Sequence, residues 1–275
     1  MDERAIGVFD SGLGGLTAVK KLMDVLPHES IIYFGDTGRV PYGGRSRETI
    51  LKYARQDIAF LRSFNIKAVV AACGTVSTNG LEEISGEYDI PVRGVARAAA
   101  GAAVKATRNG KIGVIGTNAS IRSGAYERII KGMAPESCVI MKACPLFVPV
   151  IEDGRTGRDD PLLGLLADEY LLPLLESGID TLIMGCTHYP IISEVISDRL
   201  GDGVRLVDPG AETAEELASF LKENDLLSSG SAGVYKYFVS DSTDDFAAKA
   251  GIFLGRNVDG DVKQVAVDEL QSRAF

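Results

Sequence analysis

Short apolar runs rich in β-branched residues alternate along this 275-residue chain with longer stretches of helical spacing. Ala5–Phe9, Ile31–Phe34, Ala68–Ala72, Lys111–Ile115, Val139–Lys142, Thr181–Met184 and Arg205–Val207 read as buried strands. Leu16–Leu26, Arg47–Ser63, Ala98–Thr107 and Pro161–Leu175 read as helices. Alternation of this kind predicts the α/β class with mostly parallel sheets.

A weak internal repeat adds to the pattern. Ile6-Gly-Val-Phe-Asp-Ser11 is echoed by Ile112-Gly-Val-Ile-Gly-Thr117, and Ala68-Val-Val-Ala-Ala-Cys73 by Thr181-Leu-Ile-Met-Gly-Cys186, in the same order. Each half then carries one strand ending in a small hydroxyl residue and one ending in cysteine. The alternative is that apolar strands followed by Gly or Cys recur by chance in any α/β chain. The expected architecture is two similar doubly wound α/β domains facing each other, with the active site in the cleft between them. The first comprises 1–97 and 208–275 and carries Cys73; the second comprises 98–207 and carries Cys186. A helix near Ala211–Glu223 and a strand near Tyr235–Val239 are expected to pack back on the first domain.

Ligands of open α/β sheets bind beyond the carboxyl ends of the strands. Asp10, Ser11, Cys73, Thr75, Thr117, Cys186 and Thr187 all fall at or just after such ends. The loops Gly12-Leu-Gly-Gly15 and Pro41-Tyr-Gly-Gly44 match neither the Walker A pattern nor the dinucleotide fingerprint. A glycine loop at a helix N-terminus still suits a carboxylate.

Cys73 and Cys186 each follow a strand and precede an expected helix, with Thr close behind and His188 two residues after the second. A helix N-terminus stabilises a thiolate, so a lowered thiol pKa is expected at both. Pro190 suits a first helical turn. One such cysteine reads as buried filler; two in matching contexts point to function. Cys138 and Cys144 lack these surroundings and read as filler.

Composition narrows the classes of partner. A net charge of −9, no Trp and 7% aromatics argue against nucleic-acid binding. No apolar run approaches membrane-spanning length, and the start carries no signal-peptide pattern, so a cytoplasmic, membrane-free protein with free thiols is expected. Two histidines, His28 and His188, are too few for a His-rich metal site, and no Cys/His zinc spacing occurs.

In Val8-Phe-Asp-Ser-Gly-Leu-Gly-Gly15, Tyr33-Phe-Gly-Asp-Thr37, Val40-Pro-Tyr-Gly43, the Cys73 segment, Pro145-Leu-Phe-Val-Pro149 with Glu152, Gly185-Cys-Thr-His-Tyr-Pro190 and the tail from Tyr237 to Gly255, the chain resembles the glutamate racemase family. The resemblance covers nearly the whole chain. It implies two-base racemisation of glutamate without pyridoxal phosphate or metal, supplying D-glutamate for peptidoglycan, and a homodimer. One cysteine, as thiolate, removes the α-proton while the other, as thiol, returns a proton to the opposite face. Cys73 is assigned the D-substrate and Cys186 the L-substrate. By the same resemblance Asp10 assists Cys73, while His188 and Glu152 assist Cys186. Asp10, Ser11, Pro41, Tyr42, Gly43, Gly74, Thr75, Thr117 and Thr187 are assigned to substrate binding. The structural alternatives are that Asp10 caps the next helix, that His188 is a satisfied core histidine and that Glu152 is a solvated turn residue.

The chain departs from the family pattern at Gly74, where an Asn commonly follows the first cysteine, and in Arg93-Gly-Val-Ala-Arg97. The loss of the Asn side chain touches substrate choice rather than the Cys/Cys chemistry. Two competing readings stand beside the first. One is a two-cysteine racemase of aspartate or another amino acid. The other is a small-molecule binding protein or a hydrolase with a single nucleophilic cysteine, which leaves the second thiol idle.

Overall fold

A computed structural model describes residues 2–230, 232–258 and 262–272. Met1 and residues 273–275, the outer ends of the expected first domain, lie outside the described residues. Among the described residues ten strands form two sheets, parallel throughout. The first sheet holds β1 (Ala5–Asp10), β2 (Ile31–Gly35), β3 (Ile66–Ala71), β4 (Val92–Gly94), β9 (Tyr235–Val239) and β10 (Val262–Gln264), ordered β10-β9-β2-β1-β3-β4. The second holds β5 (Lys111–Gly116), β6 (Cys138–Ala143), β7 (Thr181–Met184) and β8 (Arg205–Val207), ordered β6-β5-β7-β8.

The order β2-β1-β3-β4 thus recurs as β6-β5-β7-β8. The repeat seen in the sequence pairs β1 with β5 and β3 with β7, which are the adjacent strands flanking the switch point of each sheet. Helices on both faces bury β1 and β3 completely, so these strands are apolar runs and not alternating ones. One apolar cluster runs from Ile6, Val8 and Leu16 to Ile115, Met184 and Cys186, so the two sheets share core.

The expected helices form with small shifts at their ends, as Leu16–Val25, Arg47–Leu61, Val95–Ala106 and Pro161–Glu176. Local chemistry sets their starts. Ser46 accepts from Thr49 N, and Asp160 accepts from Leu163 N ahead of Pro161. The chain enters the second sheet through Val95–Ala106 and leaves it through helix Pro209–Glu223, whose first turn is capped by Asp208. These two helices pack against each other, and Pro209–Glu223 also packs on Leu16–Val25. β9 then pairs with β2, as expected. Among the described residues no helix is long and apolar enough to cross a membrane.

Lys67, in the fully buried β3, carries its ammonium in the interior. It lies 2.6 Å from Glu29 Oε2 as an ion pair and donates to Asp2 O at 2.7 Å and Leu226 O at 2.6 Å. Glu29 in turn accepts from Ser228 N at 2.8 Å. The pair therefore ties three distant stretches of chain to one strand. Removing one partner of a buried pair leaves the other charge uncompensated, so Lys67→Ala is expected to cost about 3–5 kcal/mol of stability in urea unfolding. The double variant Lys67→Met, Glu29→Gln is expected to recover much of that loss. A Lys67→Ala loss below about 1 kcal/mol would place the pair outside the cooperative core.

Candidate active site

Beyond the carboxyl ends of β1, β3, β5 and β7 lies a cleft of about 450 Å³. Its walls include Ser11, Pro41, Tyr42, Gly43, Cys73, Gly74 and Thr75 from the first sheet's side. Thr117, Glu152, Cys186, Thr187 and His188 come from the second. Both thiols therefore face one cavity from separate sheets. Of the sequence-derived site residues, Asp10 is the one absent from the lining. It is buried beneath it, at the end of β1.

The two sides meet closely. A Cβ on Gly14 would overlap Thr187 Oγ1 and the His188 ring, and one on Gly74 would overlap the Gly185 carbonyl. Thr17 Oγ1 lies 2.8 Å from Thr187 O, and Thr75 Oγ1 lies 3.0 Å from Thr117 Oγ1. The bare backbone at Gly74 is thus used for contact between the two sides.

The surroundings of the two thiols differ. The Cys73 thiol donates to Ser11 Oγ at 3.6 Å. Burial, followed by the charge of Asp10, pushes its pKa up to about 12. The lowered value expected from the strand-to-helix position is not found. The helix that follows, Gly74–Thr78, has only five residues, and its weak dipole loses to desolvation. Burial also raises the Asp10 carboxyl, opposed by His188 and by backbone amides that include Gly12 N, which donates to Oδ2 at 2.9 Å. Asp10 Oδ1 is buried with no hydrogen-bond partner among the described residues. The alternative role as a helix cap is not adopted, since the helix from Leu16 begins at Gly15 with no side-chain cap.

Cys186 Sγ lies 3.8 Å from His188 Nδ1, and His188 Nε2 lies 2.8 Å from Glu152 Oε1. Burial works against an imidazolium at His188. Hydrogen bonds and charge from Cys186 and Glu152 outweigh it and raise the pKa to about 10. Glu152, at the end of helix Phe147–Glu152, is pulled the other way. Burial alone would raise its carboxyl, but the His188 contact and the charges of His188 and Lys249 hold it below the usual range. The Phe253 ring meets the His188 ring edge-on, 5.3 Å between centroids. Pro190 opens a 3-10 turn, Tyr189–Ile192, rather than an α-helix.

Two assigned binding residues already have side-chain work elsewhere. Thr117 Oγ1 caps helix Asn118–Arg122 by accepting from Ser120 N at 3.2 Å. Tyr42 reaches the lining, but its hydroxyl is bound to Asp36 and Asp57 in the interior. The lining also holds Gly12, Val40, Gly44, Pro145, Val148 and Pro149, which lie in the quoted segments without an assigned role, and Asn118, which the sequence reading did not name. Asn118 lies two residues past the end of β5, next to Thr117, and that position was a usable signal.

The sequence model of the Asp/Glu/Hydantoin racemase family matches residues 17–217. The glutamate racemase of Geobacter metallireducens is 46% identical over 269 residues, covering 98% of each chain. Among solved structures, a glutamate racemase of Bacillus anthracis superposes with a TM-score of 0.93 at 37% identity, over 97% of this chain and 99% of that one. The Francisella tularensis glutamate racemase, solved in complex with D-glutamate, superposes with a TM-score of 0.90 at 40% identity, over 98% of this chain and 99% of that one. With two parallel-sheet α/β units and matches of this extent, the chain belongs to the Asp/Glu/hydantoin racemase family and, within it, to the glutamate racemases.

Proposed function

We propose that this chain interconverts L- and D-glutamate by two-base proton transfer between Cys73 and Cys186. The observation that carries the reading is the pair of thiols at matching strand ends of two sheets, lining one cleft. Inversion at Cα needs a base on one face and an acid on the other. In the L-to-D direction Cys186, as thiolate, takes the α-proton, and the Cys73 thiol delivers a proton to the opposite face of the planar carbanion. The reverse direction exchanges the roles. His188, held cationic by Glu152, supplies the counter-charge for the Cys186 thiolate. Asp10, beside Cys73 and with one oxygen unpartnered, is the acceptor for the Cys73 proton when that thiol acts as base.

Ser11, Pro41, Tyr42, Gly43, Gly74, Thr75, Thr117 and Thr187 hold the carboxylates and ammonium, with Tyr42 and Gly74 contributing backbone. The reading takes 1–97 with 208–275 as one domain and 98–207 as the other, in agreement with strand membership of the two sheets. It also includes a homodimer and a cytoplasmic location. Leu162, Leu165, Leu172 and Leu175, exposed along one helix, support self-association. The product serves peptidoglycan synthesis.

Circular dichroism of L-glutamate in cofactor-free, chelator-containing buffer tests the reading. The signal is expected to decay to zero, and Cys73→Ser or Cys186→Ser to slow the decay by about a hundredfold or more. A constant signal with glutamate and decay with L-aspartate would move the assignment to aspartate, with Gly74 as the first position to examine. Full turnover in either single variant would remove the two-base mechanism.

The placement of His188 has its own test. The equilibrium constant of racemisation is one, so kcat/KM is equal in both directions for any variant, and asymmetry must be read from isotope effects. In His188→Asn the Cys186 step becomes limiting. The primary effect with α-deuterated L-glutamate is then expected to rise, and that with α-deuterated D-glutamate to shrink toward one. Equal effects from both enantiomers would detach His188 from Cys186.

A further inference from the structure

Beneath the loop that carries Pro41–Gly44 lies a closed polar network with almost no access to solvent. Arg39 Nε donates to Asp36 Oδ2 at 2.6 Å, Nη2 donates to Asp57 Oδ1 at 3.0 Å, and Nη1 donates to Gln56 Oε1. The guanidinium also sits over the Tyr53 ring, 4.2 Å from its centroid. The Tyr42 hydroxyl contacts Asp36 Oδ2 and, at 3.2 Å, Asp57 Oδ2. From the C-terminal side, Ser240 Oγ donates to Asp36 Oδ1 at 2.8 Å and accepts from Gly38 N at 2.8 Å. Asp36, Asp57, Arg39 and Tyr42 are all buried.

Charge in the interior is costly unless every group is paired, and a half-satisfied network is worse than an apolar one. None of the charged groups lines the cleft. What they hold is the loop above. Tyr42 is the side chain through which Pro41–Gly44 reaches the network, and the same loop lines the cavity and packs Gly43 against Thr117 of the opposite side.

We propose that Arg39, Asp36 and Asp57 are positioning residues that fix the Pro41–Gly44 backbone in its substrate-binding shape, acting through the Tyr42 hydroxyl. The proposal rests on the racemase reading of this cleft. Two carboxylates face one guanidinium, and the Tyr42 hydroxyl has one proton for two acceptors. A proton resident on Asp57 and donated to Tyr42 Oη, while Tyr42 donates to Asp36, satisfies every contact. Burial, followed by the charge of Asp36, pushes the Asp57 carboxyl well upward in agreement. A loop that binds groups common to both enantiomers contributes equally to ground and transition states. Its loosening raises KM and leaves kcat in place.

The experiment is steady-state kinetics of the full chain in both directions. Tyr42→Phe is expected to raise KM for L- and D-glutamate alike, by about tenfold, with kcat held within about twofold. Asp57→Ala is expected to behave as Tyr42→Phe does. Asp57→Asn, a neutral group with hydrogen-bonding atoms in the same places, is expected to keep KM within about threefold of the parent. An unchanged KM in Tyr42→Phe would overturn the proposal. So would loss of apparent kcat at constant KM, which signals less folded enzyme rather than a looser loop. Asp57→Asn as damaging as Asp57→Ala would overturn the neutral Asp57 on which the arrangement depends. A parent enzyme without glutamate turnover would overturn the racemase reading and this proposal together, whereas an active parent with unaltered Tyr42→Phe kinetics would overturn this proposal alone.

Discussion

Two sets of strand ends must approach closely enough for thiols from separate sheets to share one small cavity, and the remaining features of the site follow from that approach. In this chain backbone meets side chain at Gly14 and backbone meets backbone at Gly74, where an added Cβ would require the neighbouring atoms to shift. Hydroxyls then bridge the seam, Thr17 to the Thr187 carbonyl and Thr75 to Thr117. The seam is not a water-filled gap between independent bodies, since one apolar cluster crosses it. Asp10, Cys73, Cys186 and His188 are all buried at this seam, and their charges act through a lowered dielectric.

That low dielectric makes the two thiols unequal. Near Cys186 an imidazolium and a carboxylate form an ordered pair, so a thiolate there has its counter-charge at hand. Near Cys73 the charged neighbour is a buried carboxylate of the same sign, and burial holds the proton on sulfur. A symmetric reaction is therefore served by an asymmetric pair. The proposed reaction needs one negative charge between the two thiols, and the cationic partner for it stands beside Cys186. The Cys73 thiol itself donates to Ser11 Oγ, and Asp10, whose charge raises the thiol's pKa, keeps one oxygen without a hydrogen-bond partner among the described residues.

Much of this was legible in the sequence because parallel strands buried on both faces leave uninterrupted apolar runs, and because function sits where those runs end. All seven strands expected up to Val207 form, as does the later one at Tyr235–Val239. Val92–Gly94 and Val262–Gln264 each carry polar or glycine residues at two of three positions and left no apolar run, and the five-residue helices Gly74–Thr78 and Leu81–Ser85 were too short for helical spacing to show. Local rules failed where burial decided the outcome. A strand-to-helix cysteine suggests a low pKa, but the rule assumes a solvated thiol and a helix long enough to matter. Tyr42 stands in a glycine loop with every mark of a surface residue. Its burial depends on Asp36, Arg39 and Asp57, and no local pattern reveals that these converge. The His188–Glu152 pair, by contrast, came from family resemblance and not from spacing.

The return of the chain to the first sheet after β8 has a consequence for the site that a simple tandem of two domains would lack. The returning segment supports both walls of the cleft at once. Ser240, at the end of β9, closes the network under the Pro41–Gly44 loop by binding Asp36 and Gly38. A few residues later Phe253 packs on the His188 ring, and Lys249 adds its charge near Glu152. The loop and the imidazole belong to opposite sides of the seam, yet both lean on one stretch of about fifteen residues. Because Val95–Ala106 and Pro209–Glu223, the two crossings between sheets, also pack on each other, a displacement of one side is resisted at the crossings and at the tail together. The interrupted chain order is therefore a means of fixing the distance between the two thiols, which the proposed racemisation through a planar intermediate requires and which two separately folded domains on a single linker would leave free to vary.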